Sequence, residues 1–351
     1  MAATIADVAA QAGVSTATVS RILSGAAHGR EATRARVLAA ARDLDYRPSG
    51  VARSLKLRRT RTIGLLITDI QNPFYPELVR AVEDAATARS YAILLGNGAQ
   101  DSDREAAYLE VLAARRVDGI LIAASSLSER HARWIARAPV PVVLANCQLG
   151  GEGPPAVLAD HVAGGRLAAA HLLGLGHRRL GVLDTLRPNP AAEERLRGFR
   201  ALLPEPDRPH LAIGTGDVPG GRQAMARLLA EQPAITGVFC FNDQMALGAL
   251  GAARRAGRHV PADLSIVGYD DIAIAAELDP PLTTVAQPIA AMGHWAVSHL
   301  VSLIEGGSDG GPRDGQPGAE VDDRAEPRVV RLAVDLRIRA TTAPPPPRGD
   351  R

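Results

Sequence analysis

The sequence predicts an α/β protein in which a small all-α head precedes a doubly wound parallel-sheet core of two subdomains. Three observations carry this expectation. Residues 4–46 hold three short helical patterns and no strand-length apolar run. From Thr62 onward, apolar runs of strand length alternate with helical patterns, the rhythm of parallel strands covered by helices on both faces. That second region spans roughly 280 residues, more than one doubly wound unit needs, so two similar subdomains are expected.

The head is read from its caps and spacings. Thr4 followed by Asp7 is a capping-box pattern for a first helix, with Val8 turned inward. Gly13 ends that helix, and Ser15 can cap a second, with Val14 as the apolar residue ahead of the cap. The third helix runs over about 31–46, carrying Val37, Leu38, Ala41 and Leu44 at helical spacing before Pro48 closes it. On the second helix Val19, Ile22 and Leu23 share one face, which leaves Thr16, Ala17, Ser20 and Arg21 outward. Two helices joined by a tight glycine-containing turn, the second small and polar at its start, make a helix-turn-helix pattern. Small residues let such a helix sink into a major groove, where a Thr methyl can touch thymine and Arg21 can take a guanine edge bidentately. Ser15 and the helix N-terminus suit a backbone phosphate. A solvated helix in a plain three-helix bundle would present the same face.

The stretch RPSGVARSLKLRRTR, residues 47–61, follows the third helix. Val51, Ala52 and Leu55 fall at helical spacing, with Ser49 as an N-cap and Arg53 among the cations. Eight residues are too few for a stable isolated helix. The segment fits a hinge that orders on DNA, with Leu55 wedged between base pairs in the minor groove. A flexible basic linker is the plainer alternative.

In the body, the strand-length runs are TIGLLIT, YAILLG, DGILIA, PVVLAN, PAVLAD, RLGVLD, GVFCFN and LSIVGYD. Residues 305–327 are rich in Gly, Pro and charge and read as a disordered surface loop, ahead of a final strand near 329–339. Residues 344–351 read as a flexible tail whose RGD triplet is accidental.

Composition narrows the functional classes. The chain has 351 residues, 46% of them hydrophobic, and a formal net charge of +2. Two cysteines, Cys147 and Cys240, cannot build a disulfide framework or a four-ligand zinc site, which favours a reducing interior. Neither a secretory leader nor a membrane-spanning run is evident, so a cytoplasmic protein is expected. The near balance of charge hides an asymmetry. Residues 1–62 hold eleven Lys/Arg against four acids, and the remainder 29 against 34. A basic head on a mildly acidic body points to a polyanion partner for the head alone.

The stretches TIADVAAQAGVSTATVSRIL, YRPSGVARSL, RTRTIGLLITDIQNPFYPEL, LLGLGHRRLG, FNDQMALGAL and VGYDDIAIAAELDPPLTTVAQP occur in this order. Together they resemble the lactose-repressor/galactose-repressor (LacI/GalR) family of transcription regulators, from Thr4 to about Pro344. The resemblance implies a periplasmic-binding-protein-like core. It also implies that Thr16, Ala17 and Arg21 face base edges and that Leu55 levers open the operator centre. Two departures stand out. Ser49 replaces a common Asn, and Arg30 stands where a Ser often caps the third helix, which loosens that helix start by up to ~1 kcal/mol.

Open α/β sheets bind ligands beyond the carboxyl ends of their strands. The residues that follow the apolar runs are Asp69, Asn97, Ser125, Asn146, Asp184, Asn242 and Asp270, with Gln287 after LTTVA. Paired acceptors and donors of this kind match vicinal hydroxyls, although Asp, Asn and Ser also end strands for local reasons. The resemblance selects Asn242, Asp270 and Arg195 as effector contacts, with Gln287 close by. It places Asn72, Phe74 and Tyr75 at the lip of the other subdomain and adds Asn146 and Asp160 as weaker candidates. Aromatics are only 3% of the chain, and Val218 sits where relatives sometimes offer a large aromatic.

Catalysis has no constellation to rest on. GTGDVPGG (214–221) lacks both the GxGxxG spacing and a P-loop lysine, and neither G-x-S-x-G nor H-E-x-x-H occurs. His161, His171 and His177 do not share one helical face and read as packing or surface residues. No cofactor or metal is expected. The expected organisation is a DNA-binding head (1–47), a hinge (48–61) and an effector-binding, dimerising core (62–343). Subdomain I takes about 62–159 and 288–304, and subdomain II about 160–287 and 328–343. The whole reads as a homodimeric repressor of a pseudo-palindromic operator in double-stranded DNA, controlled by a sugar or sugar derivative. The Pro-rich tail carries no leucine heptad, so a dimer is preferred to a tetramer. A sugar-binding protein with no DNA role is the alternative.

Overall fold

The computed structural model describes residues 3–23, 30–46, 59–124, 126–150, 153–185, 189–204, 208–306 and 328–347. Ser49, Arg53 and Leu55 of the expected hinge, Ser125, the bulk of 305–327 and the last four residues lie outside them. The chain divides into two units between Arg61 and Thr62.

The first unit contains α1 (Ile5–Ala12), α2 (Thr16–Leu23) and α3 (Glu31–Asp43). The Thr4 capping box forms as the spacing predicts. Asp7 N donates to Thr4 Oγ1, and Thr4 N donates to Asp7 Oδ2 at 2.8 Å. Gly13 closes α1 in the left-handed region (φ 63°), and Ser15 Oγ accepts from Thr18 N at 3.2 Å. Val8, Ala9, Ala12, Val19, Ile22, Val37, Ala40 and Ala41 form one core. The third helix departs from expectation at two points. It ends at Asp43, because Asp45 turns left-handed and Tyr46 N returns to Ala41 O. Leu38 is 37% exposed, and Ala40 takes the inward place instead. Arg30 N-caps α3 without any side-chain bond. Arg30→Asp should therefore stabilise the start of α3 by about 0.5–1 kcal/mol. Amide hydrogen exchange at Val37 and Ala40 in the full chain should slow about two- to fivefold, and unchanged rates would rule the cap out.

The second unit carries two sheets of matching order. The first comprises β1 (Thr62–Ile67), β2 (Ala92–Asn97), β3 (Gly119–Ala123), β4 (Val142–Ala145), β5 (Ala156–Ala159) and β11 (Val329–Leu332), ordered β2-β1-β3-β4-β5-β11 and parallel throughout. The second comprises β6 (Leu180–Thr185), β7 (His210–Gly214), β8 (Gly237–Cys240), β9 (Ser265–Asp270), β10 (Thr283–Ala286) and β12 (Asp335–Arg337), ordered β7-β6-β8-β9-β10-β12. Only the β10–β12 pair is antiparallel.

Helices α4 (Phe74–Thr87), α5 (Ser102–Ala114), α6 (Glu129–Ile135) and α11 (Ile289–Gly306) serve the first sheet. Helices α7 (His161–Gly174), α8 (Pro190–Arg200), α9 (Val218–Glu231) and α10 (Asp243–Arg255) serve the second. Each sheet is packed on both faces, with Ile63, Leu65, Leu78 and Leu300 on one side of the first and Leu66, Leu112 and Ile120 on the other. This double burial is why the strands read as continuous apolar runs. Among the described residues, no helix is long and apolar enough to cross a membrane.

Two expectations need correction. Strand β7 does not belong to the series of apolar runs. It lies at a sheet edge with His210 and Leu211 exposed, so it never presents an unbroken apolar run. The single final strand is really two. β11 joins the first sheet beside β5 and β12 the second beside β10, so residues 328–343 do not belong to subdomain II alone. The chain passes between the subdomains at Asp160, just after Gln287, and at 333–334.

Candidate functional site

The head presents one polar face. Val19 and Ile22 anchor α2 in the core, while Ser15, Thr16, Ala17 and Arg21 are exposed and Ser20 is half-buried. Arg21 Nε reaches back to Ala17 O at 3.4 Å, which lays the guanidinium along the helix surface. The result is a helix whose outward side is small and uncharged except for one arginine, the surface that groove insertion requires.

In the second unit, the strand order switches sides at β1 and at β6, and both switch points open towards one cleft of about 380 Å³. Strand ends supply Thr68, Asp69, Asn146, Thr185, Asn242, Asp270 and Gln287, and the helix starts supply Asn72, Phe74, Tyr75, Ser102 and Asn189. Two hydrogen bonds join the subdomains near it. Gln244 Nε2 donates to Gln71 O at 3.2 Å, and Ala273 N donates to Glu77 Oε1 at 3.3 Å. Burial, together with the charge of Asp271, raises the Glu77 carboxyl above its ordinary range even though it accepts from Ala273 N.

The cleft floor in subdomain II is a buried polar network. Arg195 is 4% exposed, its guanidinium 3.6 Å from the centre of the Tyr269 ring and 4.9 Å from that of Phe241. Its Nη1 donates to Phe241 O at 2.6 Å, its Nε to His161 Nδ1 at 3.4 Å, and its Nη2 lies 3.6 Å from Asp270 Oδ1. Gln287 Nε2 donates to the same Oδ1 at 2.7 Å. Asp270 Oδ2 accepts no hydrogen bond among the described residues. Burial raises the Asp270 carboxyl to about 6, against the opposing pull of Arg195 and Gln287. Burial and the Arg195 charge keep His161 neutral, so its Nδ1 can accept from Arg195 Nε, and the Tyr269 hydroxyl lies 3.0 Å from the same atom.

Of the nine sequence-predicted cleft residues, Asn72, Phe74, Tyr75, Asn146, Arg195, Asn242, Asp270 and Gln287 line the cavity. Asp160 does not. Its Oδ1 accepts from Ala163 N at 2.9 Å as the N-cap of α7, so the acid at this strand end serves the helix after it. Asn242 is largely committed to structure, its Oδ1 capping α10 through Met245 N and its Nδ2 donating to Gly216 O, both at 2.8 Å. Phe74 and Tyr75 are 3% and 4% exposed and pack edge-to-face in the core, so they offer little ring face to a ligand. The half-buried Phe241 is the better platform, and its place directly before Asn242 in FNDQ was the available signal. Gln100 and Glu105 also line the cleft from beyond β2 and from α5, where strand-end reasoning does not reach. Val218 begins α9 and does not line the cavity.

His171 and His177 lie elsewhere and hold the C-terminal segment. His171 Nε2 is 2.8 Å from Thr342 Oγ1, and His177 Nε2 is 2.9 Å from Ala343 O. No group of His, Cys, Asp and Glu among the described residues could hold a metal ion.

Comparison with known proteins covers nearly the whole chain. Residues 4–49 match the family described as "Bacterial regulatory proteins, lacI family", and residues 60–340 match "Periplasmic binding proteins and sugar binding domain of LacI family". The chain is 36% identical over 310 residues to the HTH-type transcriptional repressor PurR of Aliivibrio salmonicida, covering 86% of this chain and 92% of that one. It is 38% identical over 308 residues to the Ribose operon repressor of Escherichia coli, covering 86% and 93%. Its fold is similar to a Lac repressor dimer bound to operator and the anti-inducer ONPF, with a TM-score of 0.84 at 29% identity, covering 98% of this chain and 100% of that one.

Proposed function

Since the chain belongs to the LacI family of bacterial regulatory proteins, we propose that it is a repressor whose hold on a pseudo-palindromic operator is set by a small polyhydroxylated effector. The observation that carries this reading is the outward face of α2, where Thr16, Ala17 and Arg21 are exposed while Val19 and Ile22 are buried. Arg21 takes a guanine edge, Thr16 and Ala17 meet the major-groove floor, and Ser15 and Ser20 contact the backbone. Ser49, Arg53 and Leu55 extend the contact into the minor groove. The protein acts as a homodimer in the cytoplasm, because one head reads one half-site and two-fold symmetry imposes the inverted repeat.

The effector lies between the subdomains, against Asp270, Gln287 and Asn146, with Phe241 under a sugar face. The three strand connections between the subdomains act as the hinge. An effector that favours one closure angle changes how the two heads of a dimer are spaced, and a coupling of about 1–3 kcal/mol is enough for a regulatory response. Whether a given sugar releases or recruits DNA binding follows from which closure it favours.

The test uses the full-length protein on a randomised duplex pool at low ionic strength, followed by gel-shift titration of the enriched sequence. An inverted repeat should be enriched. Arg21→Ala should lower affinity for it about tenfold to a hundredfold and erase the preference over a scrambled duplex. Enrichment of no inverted sequence, or an Arg21→Ala variant with unchanged preference, would overturn the reading.

A further inference from the structure

We propose that Glu105 is an effector-contacting residue, so that the cleft takes neutral or amino-bearing polyols and rejects their phosphate esters; this rests on the cleft being the effector site. Glu105 lies on α5 in subdomain I, 5% exposed, and its side chain lines the cleft. Its Oε2 stands 3.1 Å from Nε2 of the fully buried His131, a close polar approach without hydrogen-bond geometry, since that Nε2 has no hydrogen-bond partner among the described residues. His131 is itself held in place, because its Nδ1 accepts from Ser128 N at 3.1 Å and lies 2.8 Å from Ser128 Oγ. An imidazole that accepts a backbone N–H at Nδ1 carries its hydrogen on Nε2, the atom facing Glu105. Gly98 completes the seat, since a Cβ there would fall on Glu105 Cγ and within 2.7 Å of Oε1.

This arrangement orients a carboxylate without satisfying it. Among the described residues no donor reaches Glu105 Oε1, and this oxygen is not among the fully buried polar atoms, so in a residue that lines the cleft it is open to a ligand donor. Asp270 repeats the pattern from subdomain II, where Oδ1 is engaged by Gln287 and Oδ2 is idle. Two carboxylates from different subdomains, one held by Gln287 and the other seated beside His131 and Gly98, line one cavity and offer it acceptors. Arg195, the cation lining the cleft among the described residues, has its nitrogens turned to Phe241 O, His161 and Asp270. Hydroxyl or ammonium donors at both ends of a ligand satisfy such a cleft. A phosphate brings only acceptors and further negative charge beside Glu105, Asp69 and Asp270.

The experiment is isothermal titration of the full-length protein with aldopentoses, aldohexoses, their 2-amino forms and the terminal phosphate esters of each. At least one uncharged or amino sugar should bind, and its phosphate ester should bind at least tenfold more weakly. Glu105→Gln should weaken the parent sugar at least fivefold and narrow the gap to its ester, with the ligand-free melting temperature unchanged to within about two degrees. An ester that binds as tightly as its parent, or a Glu105→Gln affinity within twofold of wild type, would overturn the proposal. Asp270→Ala separates the two levels. If it abolishes binding while Glu105→Gln does not, the cleft stands and Glu105 falls. If neither substitution matters, or no sugar binds, the effector reading falls as well.

Discussion

Asp270→Asn should yield a protein that is more stable at neutral pH than the parent and deaf to its effector. Burial lifts the Asp270 carboxyl to about 6, so the folded chain holds this proton more tightly than the unfolded chain does. The stability tied to this group is therefore fully present below the unfolded value and is lost as the pH rises through about 6. Asparagine keeps the shape and an acceptor for Gln287 but cannot ionise, so it avoids that loss. The shift corresponds to about 3 kcal/mol at most, with the opposing pull of Arg195 and Gln287 already contained in it. The melting temperature of the variant should exceed that of the parent by several degrees at pH 8, and the difference should shrink steadily between pH 6.5 and pH 4. A difference that does not change with pH would remove Asp270 ionisation as its cause. Asparagine also puts either an amide donor or a weaker acceptor where Oδ2 faces the cleft, so effector affinity should drop a hundredfold or more by titration. Gain in stability and loss of response together mark a residue kept for binding.

Gly165→Ala should be among the most damaging single-methyl changes in the chain. A Cβ there would fall on the carbonyl oxygen of Arg195 and 2.7 Å from the amide nitrogen of Phe199. The reverse contact exists too, because a Cβ at Gly198 would fall on Val162 O. Helices α7 and α8 thus meet backbone to backbone, and the added methyl has no flexible side chain to push aside. The helices must part, which opens the packing around Phe199 and Phe239, whose rings stack 5.1 Å apart. A cost of about 2–4 kcal/mol is expected, read as a fall in denaturation midpoint. Arg195 sits on the displaced helix, so effector affinity should drop with stability, while Gly174→Ala, with nothing within 4 Å of the added atom, should change neither. Equal effects at the two glycines would show that helix contact is not the cause.

Local chemistry was the most readable part of the sequence. The Thr4–Asp7 box, the left-handed Gly13 and the outward face of α2 each depend on residues three or four positions apart. Strands with both faces buried declared themselves as apolar runs, whereas β7, exposed along an edge, did not. Strand ends pointed to Asp270, Asn146 and Gln287, because the fold gathers those ends at one place. Asp160, which the resemblance added as a weaker candidate, caps a helix instead, since an acid between a strand and a helix serves equally as a cap. Glu105 was out of reach. Its significance lies in His131 and Gly98, which come near it only once the first sheet is assembled, and no spacing along the chain encodes that meeting.

The division of the last strands between the two sheets bears on how the molecule is made. Neither sheet has its full complement until residues 329–337 are in place, and Thr341 must still arrive to accept from Thr283 N and donate to Ile266 O. During synthesis the ribosome's exit tunnel holds those residues back long after the earlier strands have emerged. The nascent head can therefore form early, while both halves of the body stay unfinished until residues 329–341 emerge. A message cut before codon 329 should yield a product fit for proteolysis, with no half-competent regulator left behind to occupy DNA unsupervised.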